Sequence, residues 1–206
     1  MKLKESEKLE KNALCIFAKY PELGKVKTRL AKDIGDEKAL KVYKSILTDL
    51  VKDHKDNGYD LYIAFTPIEK EKDFKKLFEN PDFFPQKGKN LGKKMHNAFR
   101  FLLNNHKKVI IIGSDMPDLT SKAVKNSFKL VDRKDIILGP SFDGGYYLIG
   151  MKKSYNIFSN IEWSTSLVLT KTLELIKNKN LSFSLLEKKH DIDTIQELEL
   201  YQSGDY

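Results

Sequence analysis

The chain of 206 residues contains a single cysteine, Cys15, and only three arginines, Arg29, Arg100 and Arg133. One cysteine cannot form an internal disulfide, and its place in an apolar segment predicts a buried thiol in a reducing compartment. No apolar run approaches the roughly 20 residues of a membrane span, and the charged first residues lack a secretory apolar core. These absences predict a cytoplasmic protein with no membrane span.

The net charge of +8 raises the question of a nucleic-acid partner. Almost all of the excess is lysine, spread along the chain and interleaved with Asp and Glu. Clusters of arginine with stacking aromatic rings, which are typical of nucleic-acid binding, are lacking outside one segment near the start. We therefore expect no specific nucleic-acid partner, and most lysines are interpreted as a solvated surface.

Apolar strand-like segments alternate with segments of helical periodicity. Strands are predicted at 14–18, 59–65, 83–86, 108–113 and 135–139, with helices at 36–50, 69–79, 91–104 and 119–131. Later elements are a strand at 146–150, antiparallel or at an edge, a helix capped by Ser164 or Thr165 and reaching 178, a strand at 183–187 and a helix at 194–202. This order favours an α/β fold with three α/β/α layers and a mainly parallel mixed sheet.

The chain has no internal repeat, low-complexity block or linker-like stretch. Residues 12–206 are therefore predicted to form a single domain. A flexible N-terminal lead is predicted over residues 1–11, because that stretch is mostly charged.

Charged side chains follow three of the predicted strands. Lys25, Lys27 and Arg29 come after the first strand, Asp115 after the strand at 108–113, and Asp143 after the strand at 135–139. Ligands of open parallel sheets bind beyond the carboxyl ends of the strands, so these residues are candidates for one site. Cations together with carboxylates favour a phosphate-bearing substrate held with a divalent metal ion.

The basic segment matches neither a P-loop nor a dinucleotide-binding fingerprint, because Gly24 is its only glycine. Its three cations lie within five residues and are able to neutralise a triphosphate or pyrophosphate, with the guanidinium of Arg29 as a planar fork. The alternative interpretation is a solvated basic loop. The position directly after the first strand favours the functional interpretation.

The acidic candidates also have structural alternatives. Asp115 resembles a turn or cap residue, although Thr120 or Ser121 already offers a cap to the next helix. Asp143 precedes Gly144, a pair typical of hairpin turns.

A second glycine, Gly145, allows the backbone to approach a ligand closely. Asp191 and Asp193 flank Ile192, so an extended backbone would place both carboxylates on one face; the alternative is a capping role at the last helix. The four histidines lack metal-ligand spacing, so surface or core positions are expected.

Six segments together resemble a known family; they are residues 17–30, 86–95, 113–119, 139–150, 163–165 and 191–194. The chain is similar, from 12 to 201, to the glycosyltransferase-A-like proteins labelled radical SAM/selenodomain-associated transferases. The resemblance implies the Rossmann-like nucleotide-diphospho-sugar transferase (GT-A) fold. Sugar-1-phosphate nucleotidyltransferases, molybdopterin guanylyltransferases and phospholactate guanylyltransferase share that fold.

The resemblance also implies roles for individual residues. The phosphates are assigned to Lys25, Lys27 and Arg29, and a Mg²⁺ or Mn²⁺ ion to Asp115 and Asp193, with Asp191 or Asp143 left open as the second ligand in place of Asp193. Further nucleotide contacts are assigned to Ala18, Lys19, Gly24, Gln86, Leu91, Gly92 and Ser114. The acceptor is placed near Asp143, Gly144, Gly145, Tyr146, Trp163, Ser164 and Thr165, with simple packing as the alternative for Trp163.

Three functions remain open. The first is a metal-dependent nucleotidyltransferase that acts on a small phosphorylated or hydroxylated acceptor and releases pyrophosphate. The second is a glycosyltransferase with a nucleotide-sugar donor, and the third is a non-catalytic nucleotide-binding module. Glycosyltransferases usually carry an Asp-x-Asp motif after the central strand, whereas residues 114–116 hold only Asp115, so nucleotidyl transfer is favoured. A homodimer is left open.

Overall fold

The structure, a computed structural model, describes residues 11–79 and 81–204, so the predicted lead lies outside the described residues except for Lys11. The described part contains seven strands: β1 (Ala13–Lys19), β2 (Asp60–Thr66), β3 (Asp82–Pro85), β4 (Val109–Gly113), β5 (Ile136–Pro140), β6 (Tyr146–Met151) and β7 (Phe183–Leu185). Its seven α-helices are α1 (Thr28–Ile34), α2 (Asp36–His54), α3 (Glu71–Leu77), α4 (Leu91–Leu103), α5 (Ser121–Arg133), α6 (Val168–Asn178) and α7 (Ile195–Ser203).

The strands form one sheet in the order β3-β2-β1-β4-β6-β5-β7. Every strand runs parallel to β1 except β6, which is antiparallel to both of its neighbours. The mainly parallel mixed sheet predicted from the sequence is confirmed.

Strand β6 lies inside the sheet, so the alternative of an edge position is wrong. The strand is apolar along its length and almost entirely buried. At Gly150 an added Cβ would come within 2.8 Å of Ile137 and 3.0 Å of Ile110, because strands pack on both sides of it. A continuous apolar run of this kind is typical of a strand buried on both faces.

Helices cover both faces of the sheet because the strand side chains alternate between them. In β1, Leu14 and Ile16 pack with α1, α2, α3, α5 and α7, whereas Ala13 and Cys15 pack with α4 and α6. This arrangement confirms the three layers. Cys15 is fully buried, and burial raises the pKa of its thiol.

Two helix starts differ from the predictions. Helix α6 begins at Val168, and neither Ser164 nor Thr165 caps it: Ser164 has a positive φ of 65° and the Thr165 hydroxyl donates to the carbonyl of Glu162. Helix α1 was not predicted, because its single buried residue, Leu30, gives no periodic signal. The cap by Thr120 is confirmed, since its hydroxyl accepts a hydrogen bond from the amide of Ala123.

No helix in the described ranges has the length and apolarity to cross a membrane.

His54 is fully buried at the end of α2 and joins that helix to the chain before α5. Its Nε2 lies 2.9 Å from the carbonyl of Leu119, and its Nδ1 lies 2.7 Å from the hydroxyl of Tyr59. A carbonyl only accepts, so Nε2 carries the proton and the neutral ring accepts from Tyr59 at Nδ1. Burial lowers the pKa of His54.

We expect this histidine to contribute an acid-sensitive part of the stability. The lowered pKa in the folded state means that the unfolded chain takes up the proton first, so the contribution is complete above the ordinary pKa of about 6.5 and is lost as the pH falls below it. The free energy of unfolding, measured by urea denaturation between pH 5 and pH 7.5, should change less in His54→Gln than in the wild type. Equal pH dependence of the two proteins would contradict the assignment.

Candidate active site

The site lies where the carboxyl ends of β1, β4 and β5 meet, and the segment after β7 runs across them. Main-chain hydrogen bonds fix that segment. The amide of Lys189 donates to the carbonyl oxygen of Pro140 at 3.1 Å, and the amide of Ile192 donates to the carbonyl oxygen of Asp115 at 3.2 Å. Ile192 is fully buried, as the alternation of its neighbours predicts. Asp191 and Asp193 are thereby held beside the loops that follow β4 and β5.

The basic segment after β1 is not a uniformly solvated loop. The side chain of Lys27 is 2% exposed and its Nζ pairs with Asp115, with the Oδ1 of Asp193 at 4.0 Å. Arg29, in the first turn of α1, places Nη1 3.1 Å from the Oδ2 of Asp193. Lys25 is exposed to solvent. The two cations that reach the site thus bind its carboxylates.

Four carboxylates gather at this end of the sheet: those of Asp115, Asp143, Asp191 and Asp193. Burial, followed by the nearby charge of Asp143, raises the pKa of Asp191 to about 6, and Asp193 and Asp115 add to the effect. Lys27 and Arg29 pair with Asp115 and Asp193. Negative charge in the region of Asp143 and Asp191 is therefore only partly offset.

Asp143 does form the turn that its sequence context predicts. Its Oδ1 accepts hydrogen bonds from the amide of Gly145, at 2.9 Å, and from the hydroxyl of Ser141. Gly144, with a φ of 90°, completes the turn, and its carbonyl accepts from the amide of Leu169 at 2.9 Å. An added Cβ at Gly144 would come within 2.6 Å of the Cα of Ser166, so the turn and the start of α6 are in close contact.

A cavity of about 290 Å³ opens beside these carboxylates. Its polar border includes Asp115, Asp143, Asp191, Ser141, Ser164 and Thr165. Its apolar walls include Phe17, Leu91, Met95, Met116, Tyr146, Trp163 and Val168. Gly113 also borders it, and an added Cβ there would meet no atom within 4 Å. Neither backbone conformation nor packing requires that glycine, so the free space is available to a ligand.

Several residues predicted to bind the nucleotide are linked by hydrogen bonds at the strand ends and do not border the cavity described above. The hydroxyl of Ser114 is buried 3.1 Å from that of Tyr43, which also bonds to the main chain of Lys19. The Nε2 of Gln86 donates to the carbonyls of Ala64, at 2.8 Å, and Ala18, at 3.4 Å. These contacts hold the ends of β1, β2 and β4 in fixed positions.

Two glycines of the predicted set have structural surroundings of their own. An added Cβ at Gly92 would come within 2.8 Å of the Trp163 ring, so helix α4 packs directly on the indole. Trp163 also contacts Phe158, with ring centroids 6.5 Å apart, and it borders the cavity. The same side chain therefore packs in the core and forms part of the cavity wall. Gly24 has a φ of 68° in the exposed turn after β1.

The sequence left the second metal ligand open among Asp193, Asp191 and Asp143, and sequence reasoning did not name Gly113 or Tyr43 as site residues. Asp191 borders the cavity, whereas Asp193 pairs with Arg29. The alternating pattern around Ile192 was the signal that both acids share one face. The helical spacing of Tyr43 indicated only that its side chain is part of the core. That spacing does not show that its hydroxyl bonds to Ser114 and Lys19.

The carboxylates suit a hard divalent cation, although in residues 11–79 and 81–204 no three His, Cys, Asp or Glu side chains stand close enough to hold an ion without further ligands. Mg²⁺ is commonly held by one or two carboxylates together with substrate phosphates and water. Asp115 and Asp191 both border the cavity and offer oxygen ligands. The donor chemistry therefore fits a metal ion that binds together with a phosphate group.

The amino-acid sequence is similar to a protein family and to proteins with assigned activities. A family model described as an uncharacterized protein conserved in bacteria (DUF2064) matches residues 50–165. A 2-phospho-L-lactate guanylyltransferase of Methanocaldococcus jannaschii is 28% identical over 179 residues, which cover 85% of this chain and 76% of that protein.

Two solved structures have the same fold. A Desulfovibrio desulfuricans G20 protein assigned to the nucleotide-diphospho-sugar transferases is 31% identical, with a TM-score of 0.91 over 96% of this chain and 88% of that one. Rv0371c of Mycobacterium tuberculosis H37Rv, solved in complex with manganese, is 10% identical, with a TM-score of 0.54 over 95% of this chain and 97% of that one. The second likeness concerns the fold alone.

The buried pair of Lys27 and Asp115 predicts different effects for two lysines of the same segment. We expect Lys27→Met to lower the free energy of unfolding by about 1–2 kcal/mol, less than for a fully buried pair because Asp115 stays hydrated. The control Lys25→Met, at an exposed position, should change it by less than about 0.5 kcal/mol. Urea denaturation of both variants measures this, and equal stabilities would show that Lys27 is a surface charge.

Proposed function

The chain belongs to the DUF2064 family and is a transferase with the nucleotide-diphospho-sugar transferase fold, and we propose that it is a metal-dependent nucleotidyltransferase. The observation that carries this proposal is the meeting of Lys27 and Arg29 with Asp115, Asp191 and Asp193 beside a cavity at the carboxyl edge of the sheet. Cations for phosphates and carboxylates for a metal are thus present at one place. Because the Methanocaldococcus jannaschii relative is named a guanylyltransferase, GTP is the first donor to test.

The basic segment would hold the triphosphate. Lys27 and Arg29 bind carboxylates in the structure, and each can exchange its carboxylate for a phosphate oxygen of the incoming nucleotide. The exposed Lys25 adds a third cation. These charges would stabilise the departing pyrophosphate, on which negative charge develops during transfer.

Asp115, with Asp191 or Asp193, would hold the divalent metal, Mg²⁺ or Mn²⁺, which when bound offsets charge on the phosphate oxygens. Asp191 borders the cavity, and a nearby cation would offset the repulsion from Asp143 that helps to raise its pKa. Gln86 and Leu91 would contact the base. The acceptor would enter the cavity between Asp143 and Trp163.

No protein nucleophile is needed for this reaction. An oxygen of the acceptor attacks the α-phosphorus in line with the departing pyrophosphate, and catalysis consists of positioning and electrostatic stabilisation. Hydrogen bonds fix the turn that contains Asp143: the Asp143 carboxylate accepts from the Ser141 hydroxyl and the Gly145 amide, and the Gly144 carbonyl accepts from the Leu169 amide. A rigid turn of this kind keeps the Asp143 carboxylate beside the acceptor oxygen.

Product analysis tests the proposal against its alternatives. With a panel of nucleoside triphosphates and Mg²⁺ or Mn²⁺, we expect pyrophosphate release that stops in excess chelator and falls at least 100-fold in Asp115→Asn. Release of a nucleoside diphosphate from nucleotide sugars would favour glycosyl transfer. Tight nucleotide binding without any turnover would favour a binding module, and metal-independent turnover would remove the metal from the mechanism.

Gly113 offers a separate test of how closely the substrate approaches β4. A methyl group at this position meets no protein atom within 4 Å, and its φ is not in the left-handed region, so Gly113→Ala should leave the melting temperature unchanged or slightly raised. The methyl group would occupy space needed by the substrate, so we expect kcat/KM to fall at least tenfold. Unchanged kinetics would show that the substrate passes this residue at a distance.

A further inference from the structure

We infer that the acceptor is an uncharged or cationic hydroxyl compound with an apolar portion, and that it carries no phosphate or carboxylate group. The inference rests on the proposed nucleotidyl transfer and deepens it. It comes from the residues that border the cavity, which combine aromatic and aliphatic walls with three carboxylates, those of Asp115, Asp143 and Asp191.

No lysine, arginine or histidine is among the described residues that border the cavity. The cations near its rim have partners: Lys27 and Arg29 bind Asp115 and Asp193, Lys189 binds Asp118, and the Lys188 ammonium lies 4.5 Å above the Phe142 ring. Lys27 and Arg29 are also the groups that the nucleotide phosphates require. With the metal ion on Asp115 and Asp191 engaged by the nucleotide phosphates, a phosphate or carboxylate on the acceptor would face the Asp143 carboxylate without a protein cation of its own.

Two backbone donors at this wall are also engaged. Ser164 and Thr165 were expected to cap a helix beside the acceptor, but α6 begins only at Val168. The amide of Val168 donates to the carbonyl of Thr165, and the amide of Leu169 donates to that of Gly144. The first two N–H groups of the helix are thus used within the protein and are not free to bind an anion.

Neutral polar groups at the wall include the indole N–H of Trp163 and the hydroxyl of Tyr146, both buried. The buried Nε1 of Trp163, a residue that borders the cavity, has no hydrogen-bond partner among the described residues. An indole N–H donates one hydrogen bond and suits a hydroxyl oxygen. Met95, Tyr146 and Val168 supply the apolar surface for the rest of the molecule.

The reaction that follows forms a phosphodiester. The acceptor hydroxyl oxygen bonds to the α-phosphorus of the nucleoside triphosphate, and the bond from that phosphorus to the bridging oxygen of pyrophosphate breaks. The hydroxyl proton passes to the Asp143 carboxylate and then to water. This differs from transfer to an acceptor such as 2-phospho-L-lactate, after which the Methanocaldococcus jannaschii relative is named and which carries both a phosphate and a carboxylate.

Matched acceptor pairs test the inference with the full chain, GTP and Mg²⁺. The pairs are glycerol with glycerol 3-phosphate, choline with phosphocholine, and L-lactamide with 2-phospho-L-lactate. Pyrophosphate release and product mass are measured for each member. We expect at least tenfold higher kcat/KM for the uncharged or cationic member, and a preference for the phosphorylated member would overturn the inference.

Two variants sharpen the comparison. Thr165→Lys places a cation at the cavity wall and should shift the kcat/KM ratio at least tenfold toward the phosphorylated member. Ser166→Lys adds the same charge at the next, exposed residue, which does not border the cavity, and should leave the ratio unchanged. Equal shifts in the two variants would contradict a cavity origin, and melting temperatures show whether each variant folds.

Failure of the proposed function has a different signature. If GTP and the other nucleoside triphosphates do not bind in a titration with Mg²⁺, nucleotidyl transfer itself is wrong. If a triphosphate binds but neither member of any pair is used, the inference about the acceptor is wrong while the nucleotide site stands.

Discussion

The balance of charge between two cations and four carboxylates organises the functional end of this molecule. Asp115, Asp143 and the pair Asp191 and Asp193 come from three different loops, and close carboxylates repel one another. Lys27, almost fully buried, lies against Asp115 and close to Asp193 and reduces that repulsion. In the proposed function, a metal ion and a triphosphate would bring charges that this cluster can exchange for its own ion pairs.

The parallel sheet makes the cluster possible, since it brings the carboxyl ends of β1, β4 and β5 to one edge. The antiparallel β6 occupies the position between β4 and β5 and widens the distance between their loops, and the cavity opens there. The segment after β7 closes the arrangement through main-chain hydrogen bonds to Pro140 and Asp115. Asp115 thus pairs with the basic segment and also borders the cavity.

Much of the fold was predictable because the signals are local. The apolar runs of β1 and β4 and the periodic faces of α2 and α4 are written in consecutive residues, and their order implies a mainly parallel sheet. The start of α6 was not predictable, because Ser164 and Thr165 look like caps but are held in a preceding turn. Helix α1 was missed because a seven-residue helix with one buried side chain has no period to detect.

For the site, the amino-acid sequence was sufficient to name the basic segment, Asp115 and Asp143, because a charged residue directly after an apolar strand marks the edge where ligands bind. Which partner each charge meets was decided by folding. Lys25 and Lys27 are two residues apart, yet one is exposed and the other is buried against Asp115, 88 residues away in the chain. Contacts between residues so far apart in the chain arise from strand order and loop packing, so they cannot be predicted from the local spacing of residues.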